Sequence, residues 1–99
     1  MSLPRFAARR DNAEAPIVEA LEAYGFSVEP ISKKNVPDLL IGKGGITRIV
    51  EVKTNDGALS PGQVDWWARW NGNGVIVLRT VDDVGKLAKY WAATARVFF

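Results

Sequence analysis

Residues 36–53 read VPDLLIGKGGITRIVEVK. Two apolar runs flank a glycine-containing turn, the pattern of a β-hairpin. The first strand is entered through Pro37-Asp38 and covers Leu39 to Ile41. Gly42 to Gly45 form the turn, and Ile46 to Thr54 form the second strand. Strand side chains alternate with period two, so Glu51 and Lys53 share one face while Val50 and Val52 share the other. With Asp38 beside that pair, two carboxylates and an ammonium would converge. Such a cluster can hold a hard divalent cation and orient water against a phosphodiester. Plainer readings stand beside this one. Asp38 is a common turn residue. Glu51 and Lys53 can form a same-face ion pair, worth under about 1 kcal/mol if exposed.

The flanking sequence supplies helices on both sides. Residues 11–24 predict a helix: Asp11 and Glu14 have capping-box spacing, Pro16 falls near the first turn, and Gly25 stops it. Ile17, Leu21 and Tyr24 make its apolar face, with Val18 at the edge. At about 100° per residue, Glu14 lies on that face, Glu19 points away and Glu22 borders it. Glu14 therefore reads either as an acid carried to the sheet or as a simple helix-start residue. Phe26 to Ile31 read as a strand. Ser60-Pro61-Gly62-Gln63 opens a helix to about Trp70, with Ser60 as cap and Gln63 completing the box. Gln63 reads equally well as a site residue. Val75 to Arg79 read as a strand, and Thr80 with Asp83 opens a last helix to about Ala95. The apolar tail Val97-Phe98-Phe99 reads as a short strand or a packing segment. The order α-β-β-β-α-β-α predicts an α/β fold with a small mixed sheet flanked by helices.

A chain of 99 residues predicts one domain spanning 1–99, with residues 1–10 as a basic lead-in. There are no cysteines and no histidines. That excludes disulfide staples, zinc fingers, Cys or His nucleophiles and Ser-His-Asp triads. Any metal must be held by oxygen, which favours magnesium or manganese. No apolar run reaches membrane-spanning length, and no signal peptide is recognisable, so the expected compartment is cytoplasmic. The net charge of +2 says little about partners. Its distribution says more: Arg5, Arg9 and Arg10 cluster near the start, and Lys33, Lys34 and Lys43 lie around the Asp38 segment. Such local charge suits a polyanion, or forms an ordinary solvated surface. Trp66, Trp67 and Trp70 crowd one helix. Core packing, a dimer interface and stacking on unpaired bases all account for them.

Pro37-Asp38 followed by Glu51-Val52-Lys53 resembles the signature of the PD-(D/E)XK nuclease superfamily. Glu14, ahead of Gly25-Phe26, resembles the helix-borne acid of its Holliday junction resolvases. LSPGQVDWW (Leu59 to Trp67) is similar to the glutamine-bearing helix of the virus-type replication-repair (VRR-NUC) nucleases. The resemblance covers roughly residues 9–87. It implies a restriction-endonuclease-like core and a metal-dependent structure-specific DNA endonuclease of replication or repair. Asp38, Glu51 and the Val52 carbonyl would ligate magnesium, with manganese able to substitute. Glu14 would contribute directly or through water, Lys53 would orient the nucleophilic water, and Gln63 would support the site. Hydrolysis would leave a 5′-phosphate and a 3′-hydroxyl. Arg9, Arg10, Lys33 and Lys34 are the candidate DNA contacts. The implied partners are branched or junction DNA and a second copy of the chain, in a prokaryotic or phage-infected cell. A restriction- or flap-type nuclease of the same superfamily, a non-catalytic nucleic-acid-binding module and an ordinary α/β domain with salt-bridged acids remain as alternatives.

Overall fold

The computed structural model describes the backbone of residues 5–54 and 57–98, and the side chains of residues 13–54 and 57–91. Seven elements follow one another: α1 (Arg5–Ala23), β1 (Ser27–Pro30), β2 (Leu39–Lys43), β3 (Ile46–Val52), α2 (Pro61–Arg69), β4 (Ile76–Leu78) and α3 (Val81–Phe98). The fold is α/β, with a mixed four-stranded sheet in the order β1-β2-β3-β4. The first three strands pair antiparallel, and β4 joins β3 in parallel. A parallel neighbour requires a crossover, and α2 supplies it.

The β2–β3 hairpin closes on only two residues, Gly44 and Gly45, at φ 62° and 81°. Two successive positive φ values are the requirement of a type I′ turn, whose twist matches that of the flanking strands. The turn is therefore tighter than the expected 42–45, and Gly42 and Lys43 remain in β2.

Helix α1 starts earlier than the capping pattern suggested. Its opening RFAARR contains strong helix formers, and these carry the helix upstream of Asp11. Asp11 and Glu14 thus lie inside the helix and form no capping box, and Pro16 sits mid-helix. The expected loose lead-in is helical from Arg5, while residues 1–4 lie outside the described residues. Ile17 and Leu21 are buried as expected, but Tyr24 lies past the last turn and is exposed. At the other end, α3 continues to Phe98 instead of yielding a separate tail strand, and Phe99 lies outside the described residues.

One face of the sheet carries the core. Leu39, Ile41, Ile46 and Val50 point from it into Ile17 and Leu21 of α1 and Val84 and Trp91 of α3. The Phe26 and Trp91 rings meet edge to face at 4.9 Å, and Trp91 Nε1 donates to the Lys43 carbonyl at 2.9 Å. Helix α2 contributes no buried residue. Of the four tryptophans only Trp91 is in the core. Trp66 and Trp70 instead stack on each other at 4.9 Å. Among the described residues no helix is long and apolar enough to cross a membrane.

Candidate active site

The pairing Leu39↔Val50, continued by one step, sets Asp38 opposite Glu51. Residues directly opposite in an antiparallel pair share a face. Asp38 and Glu51 therefore lie together on the side of the sheet away from the core. The backbone fixes Asp38, because Val52 N donates to Asp38 Oδ2 at 2.8 Å. Two residues beyond Glu51, Lys53 returns to the same face, and its Nζ sits 3.3 Å from Glu51 Oε2. The Lys53 backbone is tied in turn to β4, donating to the Leu78 carbonyl at 3.1 Å.

Helix α2 closes the group. Ser60 and Gln63 form a full capping box, with Pro61 at the first helical position. The Gln63 amide does more than cap. Its Oε1 accepts from Ser60 N at 3.0 Å and from Lys53 Nζ at 2.9 Å, while its Nε2 donates to Glu51 Oε2 at 2.9 Å. One side chain thus caps α2 and bonds both Lys53 and Glu51. Next to it, Gly62 presses on Asn35, so closely that a Cβ there would collide with the Asn35 amide oxygen. Asn35 itself adopts φ 69°, a left-handed conformation that asparagine tolerates better than most residues.

Glu51 is only 2% exposed, and its Oε1 is buried without a hydrogen-bond partner. Burial, and then the neighbouring Asp38 charge, push its carboxyl above the usual value. The Lys53 ammonium and the Gln63 amide pull the other way, without cancelling the rise. An orphaned buried carboxylate oxygen is costly to leave unmatched, and a bound cation would match it. Carboxylate oxygens suit a hard ion such as magnesium.

No protein-family model, curated protein or solved structure matches this chain. The chemistry of the site is therefore carried by its own residues.

Glu14 is buried, at 8% exposure, on the core side of the sheet. Its helical neighbours Ala13 and Ile17 line a cavity of about 350 Å³ together with Thr54 and Arg79. That turn of α1 faces the same end of the sheet as Glu51. Among the described residues, however, no three acidic side chains form a group able to hold a metal ion. Glu14 does not join Asp38 and Glu51 in one ligand cluster.

Lys33 and Lys34 lie exposed in the turn whose next residue, Asn35, meets Gly62. They flank the entry to α2. Lys43 belongs elsewhere. It stands five residues along β2 from Asp38, about 17 Å at strand rise. Its Nζ donates to the Tyr24 carbonyl at the end of α1 and sits 5.1 Å over the Phe26 ring. The side chains of Arg9 and Arg10 lie outside the described residues. Two residues not singled out by the sequence reading take structural roles around the site, Asn35 and Arg79. The signal for Asn35 was its place in a polar loop just before Pro37. Arg79 carried none, because its partners are backbone carbonyls far back in the chain.

Proposed function

We propose that this protein is a metal-dependent endonuclease of the PD-(D/E)XK type, acting on DNA phosphodiesters. The observation that carries the reading is the buried Glu51 carboxylate. It is flanked by Asp38, bonded to Lys53 and Gln63, and retains one oxygen with no partner. An ordinary salt-bridged surface pair would be solvated on both oxygens and would not need the second carboxylate.

Asp38, Glu51 and the Val52 carbonyl would hold magnesium, or manganese in its place. When bound, such an ion supplies a Lewis acid that neutralises charge at phosphorus and lowers the pKa of a coordinated water. The remaining work belongs to the chain. Val52 N holds Asp38 against β3, so that one of its oxygens is fixed in direction. The Lys53 ammonium, held between Glu51 and Gln63, is available to orient the attacking water and to meet a phosphate oxygen. Gln63 keeps the lysine and the glutamate in register with each other. The exposed Lys33 and Lys34 are placed to meet the backbone of a branched DNA, with Arg9 and Arg10 as further contacts. A homodimer would present two such sites to paired strands.

The test is cleavage of labelled four-way junction, flap, single-stranded and linear duplex DNA with magnesium, manganese, calcium or EDTA. Cleavage with magnesium, lost in EDTA and in Asp38→Ala, is the expected result. Full activity of purified Asp38→Ala would overturn the assignment. Cutting of the junction in paired strands would identify the resolvase role.

A further inference from the structure

We propose that Arg79 is a positioning residue for Lys53, acting through the loop between β3 and α2; this rests on the nuclease reading above. Arg79 directly follows β4, whose last residue, Leu78, accepts the hydrogen bond from Lys53 N. Its own backbone is clamped, because Arg79 N donates to Asp83 Oδ2 at 2.8 Å. Thr80 N donates to the same oxygen, and Asp83 N returns a bond to Thr80 Oγ1. This reciprocal box at the start of α3 fixes where the arginine leaves the sheet.

The guanidinium then reaches back across the parallel strands. Arg79 Nη1 donates to the Thr54 carbonyl at 2.6 Å and to the Gly57 carbonyl at 3.0 Å. Gly57 N also donates to the Thr54 carbonyl at 3.0 Å, so both ends of the turn are held by one cation. That turn rests on the catalytic lysine. A Cβ added to Gly57 would lie 3.3 Å from Lys53 Cδ, so the glycine backbone packs on the lysine stem. The stem has one wall in Gly57, and the ammonium has two partners in Glu51 and Gln63. Loss of the guanidinium frees the wall while leaving the partners in place. The lysine then samples positions in which its ammonium no longer meets the attacking water. Misplacement by about 1 Å is enough to cost on the order of 100-fold in rate.

A direct phosphate contact by Arg79, or a purely structural loop stitch, makes different predictions. The experiment is a double-mutant cycle of Arg79→Met and Lys53→Met, read as kcat and KM for magnesium-dependent DNA cleavage. Methionine keeps the stem that lines the cavity with Ala13 and Ile17 and removes the donors. Arg79→Met should lower kcat by about 10- to 100-fold with KM little changed. In the Lys53→Met background it should lower kcat by less than about twofold, since residues acting as a unit are not additive. An equal loss in both backgrounds, or a loss confined to KM, overturns the proposal.

A second readout does not need activity. The 15N-labelled Lys53 ammonium resonance, assigned by its disappearance in Lys53→Met, should shift and exchange faster with water in Arg79→Met. An unchanged resonance overturns the proposal. Should the wild type cleave no DNA with magnesium, the nuclease reading fails, and this resonance alone decides the positioning role. Should Arg79→Met not fold, Gly57→Ala replaces it, because its methyl would press on the Lys53 stem, and on Thr54, at 3.2–3.3 Å. Folded Gly57→Ala with wild-type kcat and an unmoved Lys53 resonance overturns the proposal.

Discussion

The two faces of the sheet are built by different means. On one face α1 and α3 interlock with Leu39, Ile41 and Val50 through side chains almost wholly removed from water. On the other, α2 buries no residue, and the Gln63 bonds to Glu51 and Lys53 help hold it to the sheet. Apolar packing is non-directional and scales with area, whereas hydrogen bonds are directional and individually modest. Stability therefore belongs to the first face and geometry to the second. The acids and the lysine lie on the face that can afford to be polar.

The strongest way to break this contrast is to remove a carboxylate. On the proposed metal-dependent mechanism, Asp38→Ala should lower cleavage by on the order of 1000-fold or more, because several kcal/mol of charge stabilisation would depend on an ion that Asp38 would help hold. Its circular dichroism should be that of the wild type. Unfolding of this variant would show that the polar face is structural after all.

Next comes a matched pair of truncations. Leu21→Ala, at a fully buried position, should destabilise by about 2–5 kcal/mol in chemical denaturation. Val64→Ala, on exposed α2, should change stability by less than about 0.5 kcal/mol. Similar losses at the two sites would erase the distinction between the faces.

Gln63→Leu sharpens it further. This substitution removes the bridge between Glu51 and Lys53 together with half of the capping box. It should reduce cleavage about 10- to 100-fold through misplacement of the lysine, while stability falls by only about 1 kcal/mol. Hydrogen exchange should quicken in α2 and stay unchanged in α1.

The smallest effect concerns protons. The Glu51 carboxyl is raised above its usual value, so the folded protein holds that proton more tightly than the unfolded chain. Its contribution to stability is present at low pH and is lost as pH rises from the usual carboxylate value through the raised one. Glu51→Gln should therefore remove this fall and leave the protein at least as stable as the wild type at neutral pH. Magnesium should raise the wild-type melting temperature there. It should not do so in the glutamine variant.

Sequence made the hairpin legible because period-two apolar residues and paired glycines are local signals. The α2 start was legible for the same reason, since Ser60, Pro61 and Gln63 act within four positions. Residue spacing also set Glu51 and Lys53 on one face. The start of α1 misled: Asp11 and Glu14 have capping spacing, yet the helix formers upstream of them overrode it. Lys43 and Arg79 were illegible for another reason. What each of them binds, the Tyr24 carbonyl in one case and those of Thr54 and Gly57 in the other, is backbone brought close only by the finished sheet. Core packing was one of three readings open to Trp66, Trp67 and Trp70, because large side chains are usually buried. Two of them stack on each other instead, and a Cβ on Gly72 would lie 2.6 Å from the Trp70 ring.

That division of indoles gives the molecule an optical label on each face. Trp91, sealed in the core and hydrogen-bonded to the Lys43 carbonyl, will emit as a buried chromophore until the whole fold is lost. The Trp66–Trp70 rings, with centroids 4.9 Å apart, are close enough for their excited states to couple. Loosening of α2 would change that coupling while Trp91 stays buried in the core, so departure of the helix from the site can be followed separately from unfolding.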